Sequence, residues 1–174
     1  TAMSQTPQKE RKSRFQVSRE VQEEFVNGIA QTMLTLAENA EQGQPSVGEA
    51  PFCPVTGKEY SGANMVRLTL TAMEKGYADN RWLTFKQLQA VREEHPDLNI
   101  RIRKGEHGVT VLRPEDVFFT VENDGKWNFV SEEQAKGIPD VRCHTLLYPF
   151  TVFNAAQIEN FPAREQPAPS MTEA

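Results

Sequence analysis

From Val21 onward, apolar residues return every three or four positions: Val21, Phe25, Ile29, Met33, Leu36 and Ala37 fall on one side of a helical projection. The pattern predicts an amphipathic helix that starts at Ser18, whose side chain suits an N-cap, and runs to about Ala40, with Gly43 as its stop. Residues 43–62, "GQPSVGEAPFCPVTGKEYSG", break the period with prolines and glycines and read as a connecting loop with a tight turn at "PVTGK". A second helix follows Ser61, with Met65, Leu68, Ala72 and Met73 inward and Gly76 ending it. A third opens at Thr84, where Thr84 and Gln87 have the spacing of a capping box, and closes before Pro96.

After Asn99 the period changes from helical to alternating. In "NIRIRKGEHGVTVL", Ile100 and Ile102 alternate with Arg101 and Arg103, and Val109 and Val111 alternate again beyond "KGEHG". The expectation is a hairpin with one apolar face and one arginine face, Gly105 and Gly108 serving the turn. "VFFTVENDGKWNFV" predicts a second hairpin around Asp124-Gly125. "TLLYPFTVF" at 145–153 reads as a last strand, and Asn154 as the cap of a short terminal helix, "AAQIENF". Helices first and strands after them give an α+β fold: N-terminal helices packed on an antiparallel sheet of about four to six strands.

The ends differ from this middle. Residues 1–17 are polar and carry Lys9, Arg11, Lys12 and Arg14, so they read as a disordered basic arm. Residues 163–174, from "AREQPAPS" onward, have a linker's composition, leaving one domain at 18–162 and room for a C-terminal region beyond it. No run of 18 apolar residues and no export signal pattern stand in the chain, so a cytoplasmic protein with no membrane partner is expected. Cys53 and Cys143 have no partner motif and receive no role.

Charge changes the picture. The net charge is -5, yet residues 81–113 hold seven Lys or Arg against four acidic residues, while residues 114–174 hold four against ten. A protein acidic overall can therefore present a local basic face, because phosphate contacts depend on the field within a Debye length of about 8 Å. Sequence-tolerant binding of a single strand needs cations for phosphates and flat rings for bases. "RWLTFK" offers Arg81 and Trp82 just before a helix and Lys86 in its first turn, where the helix dipole also favours an anion. Arg101, Arg103 and Lys104 extend the track along a strand.

Each residue has a duller reading beside the functional one. Trp82 is either a stacking platform or a hydrophobic staple, Phe85 suits a core, and the arginines suit the solvent face of a half-exposed sheet. Tyr60 and Asn64, beside a helix start, suit a DNA contact or, for Tyr60, a loop anchor.

Four blocks carry a resemblance: "CPVTGKEYSGAN" (53–64), "EKGYADNRWLTFKQ" (74–87), "RKGEHGVTV" (103–111) and "YPFTVFNAAQIENFP" (148–162). In this order and spacing they resemble the N-terminal single-stranded-DNA-binding domain of ArdC-type antirestriction proteins, found also in TraC-type plasmid conjugative primases. The resemblance covers roughly residues 18–162 and departs from the family pattern at "GQPSVGEAPF", where a tryptophan-containing stretch is usual. It implies a plasmid- or phage-borne module that binds single-stranded DNA and protects transferred DNA from restriction, joined in relatives to a catalytic C-terminal domain.

No catalytic residue is expected in this chain. It lacks H-E-x-x-H, G-x-S-x-G, a phosphate loop and Cys-x-x-Cys, so neither an enzyme nor a metal or other cofactor site is anticipated. Cys143 and His144 are adjacent, which on a strand sends them to opposite faces. The rival to a DNA binder is a protein-interaction module that docks a basic partner through the acidic last third. Sequence leaves base preference, strand polarity and oligomeric state open.

Overall fold

The computed structural model describes residues 13–40 and 49–164. Its elements are α1 (Arg14–Glu38), α2 (Gly62–Lys75), β1 (Trp82–Thr84), α3 (Phe85–Glu94), β2 (Arg101–Ile102), β3 (Val109–Val121), β4 (Trp127–Val130), α4 (Glu132–Ala135), β5 (Arg142–Asn154) and β6 (Ile158–Glu159). A four-stranded curled antiparallel sheet has the order β1-β5-β3-β4, and β2 and β6 make a second, two-stranded sheet. The class is α+β, as the pattern predicts. The described residues form two compact units. One comprises residues 13–38 and 110–150, the other 39–40, 49–109 and 151–164.

In the first unit α1 starts earlier than Ser18, so residues 14–17 of the expected disordered arm are helical. Ser13 is the cap: its N–H donates to Gln16 Oε1 at 2.8 Å and its hydroxyl accepts the Gln16 N–H at 3.2 Å. Residues 1–12 of the arm lie outside the described residues, as do Gly43 and residues 165–174 of the expected tail. Ser18 is instead buried within the helix, and its hydroxyl accepts the Leu147 N–H of β5 at 3.0 Å. The inner face of α1 is therefore set by Ser18, Phe25 and Thr32, while Met33, expected inward, is 56% exposed. Small residues let the helix approach the strand closely enough to satisfy a backbone donor, which a purely hydrophobic count cannot weigh.

The hairpin of β3 and β4 forms as expected, in the register Phe119↔Phe129 and Val121↔Trp127. Its turn is closed by Glu122 N–H to Lys126 O and Gly125 N–H to Glu122 O, both 2.8 Å, with Gly125 at φ +81°. α4, which follows β4, is a short turn opened by a Ser131–Gln134 capping box.

The second unit centres on Leu83, Leu88, Ile100 and Ile158, packed by Val91, Leu98, Ile102, Phe153 and Phe161. α2 ends as expected on left-handed Gly76 (φ +71°), with Leu68 buried but Met65 on the exposed side. The Thr84–Gln87 capping box of α3 is formed on both sides, and the helix closes at Glu94, ahead of Pro96. The turn at "PVTGK" is closed by Gly57 N–H to Cys53 O at 2.8 Å and Cys53 N–H to Lys58 O at 2.9 Å. β1 runs antiparallel to β5, pairing Trp82↔Asn154 and Thr84↔Val152.

The expected hairpin at 100–111 does not form. β2 pairs with β6, Arg101↔Glu159 and Ile102↔Ile158, and "KGEHG" connects β2 to β3 without pairing them. The apolar alternation is right, but alternation states which face a strand buries and not which strand lies beside it. "AAQIENF" likewise gives a 3-10 turn (Ala155–Gln157) followed by β6, not a helix. The reason is a buried polar node. Asn154 Nδ2 donates to Asp79 O at 2.8 Å, and Gln157 Oε1 accepts the Asn154 N–H at 2.9 Å. Gln157 Nε2 donates to His107 O at 2.8 Å and to Glu106 at 3.0 Å. These bonds tie two separate loops, at Asp79 and at Glu106–His107, to the turn, and continuing the helix would break them.

Candidate nucleic-acid interface

The eight residues singled out from the sequence all belong to the second unit, and they divide into a framework and a surface. Arg81 is framework. Its Nε donates to Asp79 Oδ1 at 3.0 Å, Nη2 to Asp79 Oδ2 at 2.7 Å and Nη1 to Pro162 O at 2.8 Å, with the guanidinium 4.9 Å above the Phe161 ring. Only 11% of the side chain is exposed. Such a bidentate, stacked arginine clamps the 158–164 segment and has little left for a phosphate.

Asp79 answers this contact. Burial alone would raise its carboxyl, but hydrogen bonds from the Arg81 side chain and backbone, with the charges of Arg81 and Arg164, hold it below the ordinary carboxylate value.

Trp82 is 1% exposed, with its ring edge-on to Tyr77 at 6.1 Å. The expected stacking platform is therefore corrected: this indole is core, and no base can reach its face. Tyr60 is the loop anchor, donating its hydroxyl to Trp82 O at 3.1 Å, and burial followed by the neighbouring Cys53 pushes its phenol pKa up. Asn64 lies half-buried in the first turn of α2.

The surface part is smaller. Lys86 is exposed in the first turn of α3, near the positive end of that helix's dipole. Phe85, expected in the core, is exposed beside it with the Arg92 guanidinium 5.6 Å from its ring. Arg101 is exposed on β2 but bonds the Glu159 carboxylate across the two-stranded sheet. Arg103 and Lys104 are exposed just beyond β2. Among the described residues no ion pair engages Lys86, Arg103 or Lys104. Three cations, with Arg101 half committed, are thus presented to solvent by one compact unit.

Sequence reasoning passed over a second feature, in the first unit. Trp127 lies flat on Phe119, ring centroids 4.5 Å apart and planes 10° from parallel, yet 45% of Trp127 is exposed. Phe129, 41% exposed, has the Arg14 guanidinium 5.1 Å from its ring, and Phe15 meets Trp127 edge-on at 4.9 Å. The signal that finds them is the alternation "WNF" after the turn, which puts two rings on one face of an edge strand.

Fold and surface define a small α+β domain with a curled antiparallel sheet, an exposed set of cations and an exposed aromatic face. Residues 16–153 match the family model for the N-terminal domain of anti-restriction factor ArdC, and the chain belongs to that family. Two proteins of Escherichia coli called DNA primase TraC are similar to it, 34% identical over 138 residues and 31% over 129, covering 70% and 72% of this chain. An uncharacterized protein, y4eC, of Sinorhizobium fredii is 31% identical over 123 residues and 69% of the chain. The match spans only 8% and 11% of the two primases and 36% of the Sinorhizobium protein. The metal-free crystal structure of the antirestriction ArdC protein from plasmid R388 is 28% identical and aligns with 77% of this chain and 42% of that one, at a TM-score of 0.47.

Proposed function

We infer that this domain binds single-stranded DNA without regard to sequence, as the DNA-holding part of a plasmid- or phage-type accessory protein that shields transferred DNA from restriction. The observation that carries the reading is the trio Lys86, Arg103 and Lys104, exposed and without ion pairs among the described residues of a family whose model bears the anti-restriction description. A polyanion gives such cations counter-charge and releases its condensed counterions on binding. The domain performs no chemistry of its own in this reading. It hands the strand to whatever catalytic region its longer relatives append.

Anisotropy of a labelled mixed-sequence single strand and of its duplex, titrated with the protein at several salt concentrations, tests this. The expected result is preference for the single strand, with log K falling against log salt by about 0.7 per neutralised phosphate. Absence of binding to either form at low salt overturns the assignment and points to a protein partner for the acidic last third.

A further inference from the structure

We propose that the outer face of Trp127, backed by Phe119 and bordered by Phe129, is a stacking platform for the unpaired bases of a single-stranded nucleic acid. The proposal deepens the single-strand reading and rests on it. It assigns base contact to a different unit of the chain from the one that carries the cations.

The geometry supplies the argument. An indole parallel to a buried ring at 4.5 Å has one face covered, and Phe15 meets it edge-on at 4.9 Å, so the exposure of Trp127 falls on what these two rings leave open. A base placed there would extend the stack to three layers, at no cost in ordering the two layers already fixed by the β3–β4 register. Flat rings on the strands of a sheet are a recurrent way of holding splayed bases, because every base has a π-face and none is excluded by sequence.

Cations border the rings, which suits a phosphate-linked occupant better than an apolar peptide. Arg14 stands over Phe129, and Lys126 precedes Trp127 in the chain. Glu122 and Asp124 in the adjoining turn work the other way, so the contribution of this patch comes from stacking more than from charge. That gives it a signature. Its share of the affinity persists in high salt, where the share of Lys86, Arg103 and Lys104 is screened away.

The chain has two tryptophans, one buried and one exposed, so intrinsic emission reports the site directly. Adding a thymidine homo-oligonucleotide to the intact protein should quench part of the emission, and Trp127→Phe should remove that part while leaving the buried Trp82 signal. A strand of the same length without bases should not quench. Trp127→Ala should weaken strand binding about five- to a hundredfold, the range expected for one lost base stack, with the same ratio at low and high salt. Emission of the unmodified protein does not depend on that variant folding. If the strand binds without quenching, and Trp127→Ala and Phe129→Leu bind it as the parent does, the platform is overturned while the single-strand reading stands. If no strand binds at low salt, both fall. If the Trp127 signal changes with protein concentration alone and the protein sediments as a dimer, the patch is a self-association surface and the proposal is overturned.

Discussion

At the scale of single residues, two of the most conspicuous polar and aromatic side chains turn out to hold the second unit together. The Asp79 carboxyl lies below its ordinary value because Arg81 outweighs the effect of burial. A carboxyl depressed in the folded state contributes stability above its unfolded value of about 4, and that contribution is lost as pH falls through the folded value. Asp79→Asn should therefore flatten the decline of the urea midpoint between about pH 5 and pH 2, while lowering it at neutral pH; parallel curves for the two proteins would refute the role given to the pair. Trp82→Ala should cost about 3–5 kcal/mol in urea unfolding, as for any fully buried large ring, and a loss under about 1 kcal/mol would show that the indole is not core. Trp82 and Arg81 were readable as important, since an aromatic beside a helix start is always packed or presented. Their direction was not readable. Whether a ring faces inward depends on what stands above it, here Tyr77 and the backbone held by Tyr60, and neither is visible in the local pattern.

At the scale of elements, caps and turns were the legible part, because they are decided by residues within four positions of one another. The Thr84 capping box, the Gly76 helix end and the Gly125 turn all follow from local chemistry. Pairing was illegible where partners are far apart, as for β2. The two glycines of "KGEHG" show the same division. Gly105 sits at φ +86° in open space and serves backbone conformation, as expected. Gly108 serves close approach: a Cβ there would stand 2.2 Å from Thr151 Cγ2 and 3.0 Å from Val152 O. Gly108→Ala should thus destabilise the protein by about 1–3 kcal/mol through crowding of the β5 backbone. A thermal midpoint unchanged from the parent would mean that the strand yields more easily than this contact implies.

At the scale of the whole molecule, charge is divided between the units. Among the described residues, the unit containing α1 carries six basic and eleven acidic side chains, and the other carries ten and nine. For the proposed DNA partner, a local field and not net charge would govern encounter. Replacing Lys86, Arg103 and Lys104 together by alanine should lower the slope of log K against log salt by about 2, three phosphates at about 0.7 each. An unchanged slope would remove these cations from the interface. The sequence showed the basic concentration at 81–113 but counted Arg81 and Arg92 among its available charges, and both are turned to internal work: Arg92 donates to Ile100 O at 2.7 Å.

The pairing of β2 with β6 also bears on when the domain becomes competent. Arg101 and Glu159 are 58 positions apart, so the strand leading to Arg103 and Lys104 has no neighbour until the chain has been made as far as Glu159. Synthesis delivers residues in order, and long-range contacts close late because the loop between them must first give up its freedom. During translation the chain therefore passes through a stage in which its cations are present but not yet held in place, and the DNA grip proposed for them would begin only when the last short strand docks.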